Sequence, residues 1–178
     1  SLIVVVVPIE NLETVRKLLA KETDFLVVAG GSNRQASTHQ GLKALKPFKP
    51  QSVLIHDGAR PFLSGQIIND VLQALEKYEA VDVAIPTTDT IIVERDGFIQ
   101  SIPPRRHLLR GQTPQAFRFA PILAAHRAHP GGAFAGLPGD RQKLRDVSGI
   151  GQILQFEELS GLGQLLIVEP AGLLIELG

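Results

Sequence analysis

The 178 residues include no cysteine, which excludes a disulfide framework and any thiol or Cys-based zinc chemistry. Neither sign of charge is in excess: 18 Lys and Arg balance 18 Asp and Glu. No global basic field therefore exists to hold nucleic acid non-specifically. Long apolar runs are also missing. The longest, Leu2 to Val7, is far too short to span a membrane. No basic segment precedes it, so it is not read as a signal peptide. Methionine is absent and the first residue is Ser1, which together suggest processing or truncation. No Gly-x-Gly-x-x-Gly follows any strand-like run, which disfavours a dinucleotide dehydrogenase. Internal repeats, low-complexity tracts and a second-domain linker are missing too. What remains is a chain expected to be soluble and cytoplasmic, without nucleic-acid or membrane partners, and long enough for one domain with a real core.

Within those bounds, apolar runs of strand length alternate with helical patterns. Leu2 to Val7 is continuous and β-branched and stops at Pro8, as expected of a strand buried on both faces. Asn11 can cap a helix over Leu12, Val15, Leu18 and Leu19, which recur at helical spacing. Phe25–Val28, Ser52–Ile55 and Val81–Ile85 read as further strands, and Ser64 caps a helix with Ile67, Ile68, Val71, Leu72 and Leu75 on one face. This alternation predicts βαβ units in an α/β fold with a mostly parallel sheet. Pro121 marks the start of a short helix through His126. His107, His126 and His129 lack metal-ligand spacing and are read as surface residues. Beyond Pro130, the runs Ile150–Phe156, Leu165–Val168 and Leu173–Leu177 fit strand or apolar helix equally.

Four stretches carry chemistry-bearing residues. Gly30-Gly31 follows the second strand, with Ser37 downstream. It is either an ordinary β-to-α turn or a place where backbone approaches a ligand closely. His56-Asp57-Gly58-Ala59-Arg60-Pro61-Phe62 lies between the third strand and its helix. Ligands gather at such carboxyl ends, where Asp57 and Arg60 can hold a metal-bound phosphate chain from two sides; a surface Asp-Gly turn is the alternative. Thr90–Val93 and Phe98–Ser101 flank Glu94-Arg95-Asp96-Gly97, a hairpin signal. With no helix to cover it, the hairpin either projects as an arm that pairs with a second chain or packs on its own domain. Pro103-Pro104 stiffens the approach to Arg105. That suits phosphate recognition by the guanidinium fork, or else marks a solvated basic turn.

In this order the blocks Gly30-Gly31-x-x-Arg34-Gln35-x-Ser37, Val53 to Phe62, Pro86-x-x-Asp89-Thr90, and Arg105 followed by Thr113-Pro114-Gln115-Ala116-Phe117 resemble the 2-C-methyl-D-erythritol 4-phosphate cytidylyltransferase family of the non-mevalonate isoprenoid pathway. The likeness covers roughly Leu2 to His126. It implies a Rossmann-like three-layer nucleotidyltransferase fold as a single domain over 1–178, and a homodimer joined through a projecting arm at 87–112. It implies CTP and a sugar-alcohol phosphate as substrates, with Mg²⁺. Gly30, Gly31 and Ser37 would contact cytidine, and Asp57 and Gly58 its ribose. Asp57, Arg60, Thr90 and Thr113 would line the sugar-phosphate pocket, with Asp57 near the metal. Arg105 would be the catalytic cation, reaching the substrate phosphate from the neighbouring subunit.

The family pattern also has a glycine-rich loop with an Arg and a Lys after its first strand, and a later Asn-x-Lys. Neither stands in these residues, and Gly139-Asp140-Arg141 only partly echoes the family's acidic pair. The 178 residues by themselves are thus expected to be inactive. Two alternatives stand beside the leading reading. One is a pentitol-phosphate cytidylyltransferase. The other is a non-catalytic dimeric module that keeps a nucleotide pocket.

Overall fold

The computed structural model describes residues 2–128 and the strand Gln164–Glu169. Strands β1 (Leu2–Val7), β2 (Phe25–Ala29), β3 (Ser52–Asp57) and β4 (Ala80–Pro86) alternate with helices α1 (Leu12–Leu18), α2 (Arg34–Leu45) and α3 (Gly65–Leu75). A hairpin of β5 (Val93–Arg95) and β6 (Phe98–Ser101) follows, then the long strand β7 (Leu109–Arg118), helix α4 (Phe119–Ala128) and β8 (Gln164–Glu169).

The main sheet runs in the order β2-β1-β8-β3-β7-β4. β1 to β4 share one sense, as the alternation of strand and helix requires. β7 and β8 run against them and lie between them. Among the described residues, β1 and β2 are thus the only sheet neighbours paired in parallel. The expectation of a mostly parallel sheet therefore holds for strand direction and fails for pairing. The reason lies in two strands whose residues do not announce themselves. Gln112–Phe117, with two amides and a proline, does not look like a strand, and Leu165–Val168 fits helix as well as strand. The first becomes the centre of β7. Where β7 passes β4, the register shifts between Asp82 and Ala84, opposite Gln112, Thr113 and Pro114; Pro114 has no N–H for the ladder.

Helices cover both faces. On β3, Val53 and Ile55 point to one side and pack with Val4, Val6, Leu42, Leu45, Phe119 and Ile122, from β1, α2 and α4. Leu54 points to the other and packs with Ile67, Val71, Leu75, Val83 and Ala116, from α3, β4 and β7. This is the period-two alternation of a strand buried on both sides. α3 keeps its expected cap, with Ser64 Oγ accepting from Ile67 N at 3.3 Å. α2 is capped by Asn33, whose Oδ1 accepts from Ala36 N at 2.8 Å, so Ser37 is left for another task.

Two further expectations fail. α1 buries none of its residues, and Leu18 is exposed. Its helical spacing is real, but it lies along β2, whose residues are themselves only half-buried. His126, read as a surface residue, is buried at the contact of α4 with α2, its ring centroid 5.8 Å from that of His39. His107 is exposed as expected. His129, Ile150–Phe156 and Leu173–Leu177 lie outside the described residues. The β5–β6 hairpin forms a separate two-stranded sheet, and all its residues are exposed. Its turn places Asp96 at φ 54° and Gly97 at φ 80°, the two positive angles of a tight hairpin turn.

Candidate functional site

The carboxyl ends of β1, β2 and β3 open into one cleft of about 560 Å³, the position where open α/β sheets bind ligands. Val6 and Val7 line it from the end of β1 with Pro8 just beyond, Gly30 and Gly31 from the β2–α2 turn, Arg34 and Ser37 from the first coil of α2, and Asp57 from the end of β3 with Gly58 to Arg60 in the loop that follows. β8 begins at the same end, with Gln164 opposite both Val6 and Asp57 in the strand register.

The β2–α2 turn is wound tightly. Gly30 N donates to Val7 O at 2.8 Å, and Gly31 N donates to Ser37 Oγ at 3.1 Å. A Cβ on Gly31 would stand 2.3 Å from Ala36 Cβ, and one on Gly30 would stand 2.8 Å from Ser37 Oγ. Glycine is what fits where backbone and side chain approach so closely. Ser37, one turn into α2, is thereby fixed against the floor of the cleft.

The loop after β3 is fixed from beneath. His56 is buried, and its Nε2 lies 2.6 Å from Arg60 O. A carbonyl only accepts, so the ring proton is on Nε2. Burial pushes the His56 pKa down, helped by the Arg60 charge and opposed by the Arg60 carbonyl and Asp57, because burial disfavours the charged ring. Arg60 N closes the turn on Asp57 O at 3.0 Å. Above this turn, Asp57 takes two guanidinium groups: Arg34 Nη1 is 2.8 Å from Oδ1 and Arg60 Nε is 3.5 Å from Oδ2. Arg60 Nη1 also donates to Gln112 Oε1 on β7 at 2.7 Å.

The residues expected to act together thus fall into separate groups. Gly30, Gly31, Ser37, Asp57, Gly58 and Arg60 share the cleft. Arg105 and Thr90 form a second group: Arg105 Nη1 donates to Thr88 O and Nη2 to Thr90 Oγ1, both at 3.2 Å. Neither lines the cleft. Thr113 is buried on β7, and its Oγ1 has no hydrogen-bond partner among the described residues. Arg34 and Gln112 stand in or beside the motifs, but their spacing points to no role. Their partners, Asp57 and Arg60, are distant along the chain, and spacing carries no sign of such contacts.

The cleft does not fit a resident Mg²⁺ on Asp57. Among the described residues this is the single carboxylate of the lining, and both its oxygens face guanidinium groups. A hard cation would have to displace Arg34 and sit beside Arg60, against like-charge repulsion. Among the described residues no cluster of three His, Cys, Asp or Glu could hold a metal.

The family model described as 2-C-methyl-D-erythritol 4-phosphate cytidylyltransferase matches residues 1–152. A bifunctional enzyme IspD/IspF of Granulibacter bethesdensis is 42% identical over 126 residues, covering 71% of this chain and 34% of that protein. A 2-C-methyl-D-erythritol 4-phosphate cytidylyltransferase of Cereibacter sphaeroides is 46% identical over 107 residues, covering 60% of this chain and 48% of that protein. Among solved structures, 4-diphosphocytidyl-2C-methyl-D-erythritol synthase from Anaerococcus prevotii superposes with a TM-score of 0.66 at 30% identity, covering 75% of this chain and 59% of that one. The chain spans less than half the length of either curated relative.

Proposed function

The chain belongs to the 2-C-methyl-D-erythritol 4-phosphate cytidylyltransferase family, and from that premise we propose that it serves cytidylyl transfer from CTP to 2-C-methyl-D-erythritol 4-phosphate. The products are 4-diphosphocytidyl-2-C-methyl-D-erythritol and pyrophosphate. One observation carries the reading: Gly30, Gly31, Ser37, Asp57, Gly58 and Arg60 meet in a single cleft at the strand ends. In this reading residues 1–178 are one Rossmann-like nucleotidyltransferase domain of a cytoplasmic protein.

An oxygen of the acceptor phosphate attacks the α-phosphorus of CTP. The bond to the β-phosphate breaks, and pyrophosphate leaves with the electron pair. The attacking oxygen is already ionised near neutral pH, so no strong general base is needed. The site must instead bring two anions into line and neutralise charge. Gly30 and Gly31 leave room for the nucleoside, Ser37 and Gly58 orient it, and Arg60 offers its guanidinium to the acceptor phosphate. Mg²⁺ would serve as the counter-ion of the triphosphate, neutralising its charge, and is not assigned to Asp57.

Arg105 and Thr90 stand together on the arm side and do not line this chain's own cleft. That separation suits delivery of Arg105 to the cleft of a second copy. Exposed Ile91, Ile92, Phe98, Ile99, Ile102 and Leu109 supply the apolar surface that such an arm-exchanged homodimer would bury.

The test incubates the purified chain with CTP, Mg²⁺ and methylerythritol phosphate and follows both nucleotide binding and pyrophosphate. Release that depends on the polyol phosphate supports the transferase. Release with ribitol phosphate alone moves the assignment to a pentitol-phosphate enzyme. CTP binding without release fits the non-catalytic module. Absence of CTP binding overturns the reading.

A further inference from the structure

We propose that Gln112 is a positioning residue for Arg60, holding its guanidinium at the angle from which it meets the acceptor phosphate. The inference rests on the reading of the cleft as a transferase site. It adds to that site a residue that does not line the cleft.

Arg60 is long and its side chain is 44% exposed. A side chain of that kind, left unheld, loses rotamer freedom when a ligand orders it. Its backbone is pinned: the N–H donates to Asp57 O at 3.0 Å, and the carbonyl meets His56 Nε2 at 2.6 Å. Its guanidinium meets Asp57 Oδ2 at 3.5 Å through Nε and Gln112 Oε1 at 2.7 Å through Nη1. The Asp57 contact is the looser of the two, and that carboxylate also takes Arg34 at 2.8 Å. The amide of Gln112 is therefore the closer hold on the fork. Nη2 takes part in neither contact, so the fork keeps donors for phosphate oxygens.

The chemistry of this hold suits an anion site. An amide oxygen is neutral, so it directs a guanidinium without cancelling its charge. The lining carries two guanidinium groups and one carboxylate among the described residues. A carboxylate in place of Gln112 would cancel the surplus positive charge that an incoming phosphate needs. Gln112 is itself held: Nε2 donates to Gly111 O at 3.0 Å, which turns Oε1 to Arg60. It is half-buried on β7, where the register with β4 shifts and Gln112, Thr113 and Pro114 face Val83 alone. Extra residues in a ladder bend the strand and re-aim its side chains. Here the irregularity sits beside the loop that carries Arg60.

Calorimetric titration of 2-C-methyl-D-erythritol 4-phosphate tests this, with the chain saturated by an α,β-methylene analogue of CTP, which cannot release pyrophosphate. Gln112→Met keeps the length and removes the acceptor. It is expected to weaken methylerythritol phosphate about three- to tenfold, the cost of ordering one long side chain on binding, and to leave the affinity for the analogue unchanged. Gln112→Asn, shorter by one methylene, should show the same loss. In an Arg60→Ala background, Gln112→Met should cost nothing further, because Gln112 acts through Arg60. A merely structural role would give equal losses in both backgrounds. The NMR resonance of the Arg60 Nε–H, identified by its loss in Arg60→Ala, should be sharp in the wild type and broadened in Gln112→Met. Equal losses in both backgrounds, undiminished acceptor affinity in Gln112→Met, or an unchanged resonance would each overturn the inference with the acceptor site intact. A wild-type chain that binds the analogue and not methylerythritol phosphate would overturn the assignment of Arg60 to the acceptor, and this inference with it. Binding of neither would overturn the transferase reading itself.

Discussion

Single residues in the cleft are constrained by contact rather than by type. Ser37, like Asn33, is of a residue type that can cap a helix. The structure gives the cap to Asn33 and turns Ser37 Oγ to the amide of Gly31. The clearest consequence concerns Gly31. Its Cβ would fall 2.3 Å from Ala36 Cβ, and within 3.2 Å of Ala36 backbone, which cannot swing aside as a long side chain can. Gly31→Ala is expected to cost about 1–3 kcal/mol, the range for overpacking a tight site. Urea denaturation would measure it, and nucleotide affinity should fall with it because Ser37 loses its anchor. Arg105 offers the opposite case. It is exposed, and its side chain bonds to Thr88 and Thr90 alone among the described residues. Arg105→Ala should leave the unfolding midpoint within experimental error. Under the proposed function it should lower turnover by about 10²-fold, as loss of a charge-assisted phosphate contact would. Unchanged kinetics would remove Arg105 from the site.

Between elements, the contact of α2 with α4 carries a pH dependence. His126 on α4 is pushed below the ordinary value of 6.5 by burial and then by His39. His39 on α2 is lowered by burial, by Lys43 and by Arg127, against a raising hydrogen bond with the His126 backbone. The cations facing the pair therefore come from both helices. His56 beneath the cleft loop is lowered too, chiefly by burial. A histidine whose folded pKa is depressed binds its proton more readily in the unfolded chain. Its stability contribution is complete above 6.5 and is lost as pH falls from there through the folded value. Asp82 on β4 is raised above 3.8, chiefly by burial. A raised carboxyl has the opposite sign, favouring the folded state as pH falls, and it stands alone against the three lowered histidines. The urea midpoint is therefore expected to be lower at pH 5.5 than at pH 7.5. His126→Gln, which cannot titrate, should narrow that difference. A midpoint that rises on acidification across this range would contradict the assignment.

At the scale of the whole molecule, the described residues include a hairpin whose apolar side chains are exposed. Phe98 and Ile99 sit on the two-stranded hairpin, 77% and 64% exposed, and that sheet is not joined to the main one. An isolated hairpin with exposed apolar side chains gains most by covering them against another surface. Under the proposed function that surface belongs to a second copy. Sedimentation equilibrium of the purified chain should then return twice the monomer mass of 19.2 kDa, and Ile99→Lys should shift it toward monomer. The same variant should retain its far-UV circular dichroism, since the hairpin lies outside both apolar clusters. A wild-type chain that stays monomeric at high micromolar concentration would remove the arm-exchanged dimer and the delivery of Arg105 with it.

Much of this was legible along the chain. The β-branched run of β1, the capped helix α3 and the Asp-Gly hairpin turn each rest on local rules of periodicity and turn chemistry, which neighbouring residues satisfy by themselves. The glycine pair and the His56–Arg60 loop likewise declared two strand ends, which meet at one cleft, because both follow strands. Tertiary structure decided what depends on contacts between distant residues. It inserted β7 and β8 between strands of opposite sense, since backbone pairing satisfies N–H and C=O groups whatever the side chains suggest. It buried His126 by setting α4 on α2, and it left α1 bare because half-buried β2 gave it little to cover. It also joined Arg34 to Asp57 across 23 residues and Arg60 to Gln112 across 52. Those pairs turn two separate motifs into one charged cleft. No spacing rule encodes them, because a side-chain ion pair is set by distance in space and carries no period along the chain.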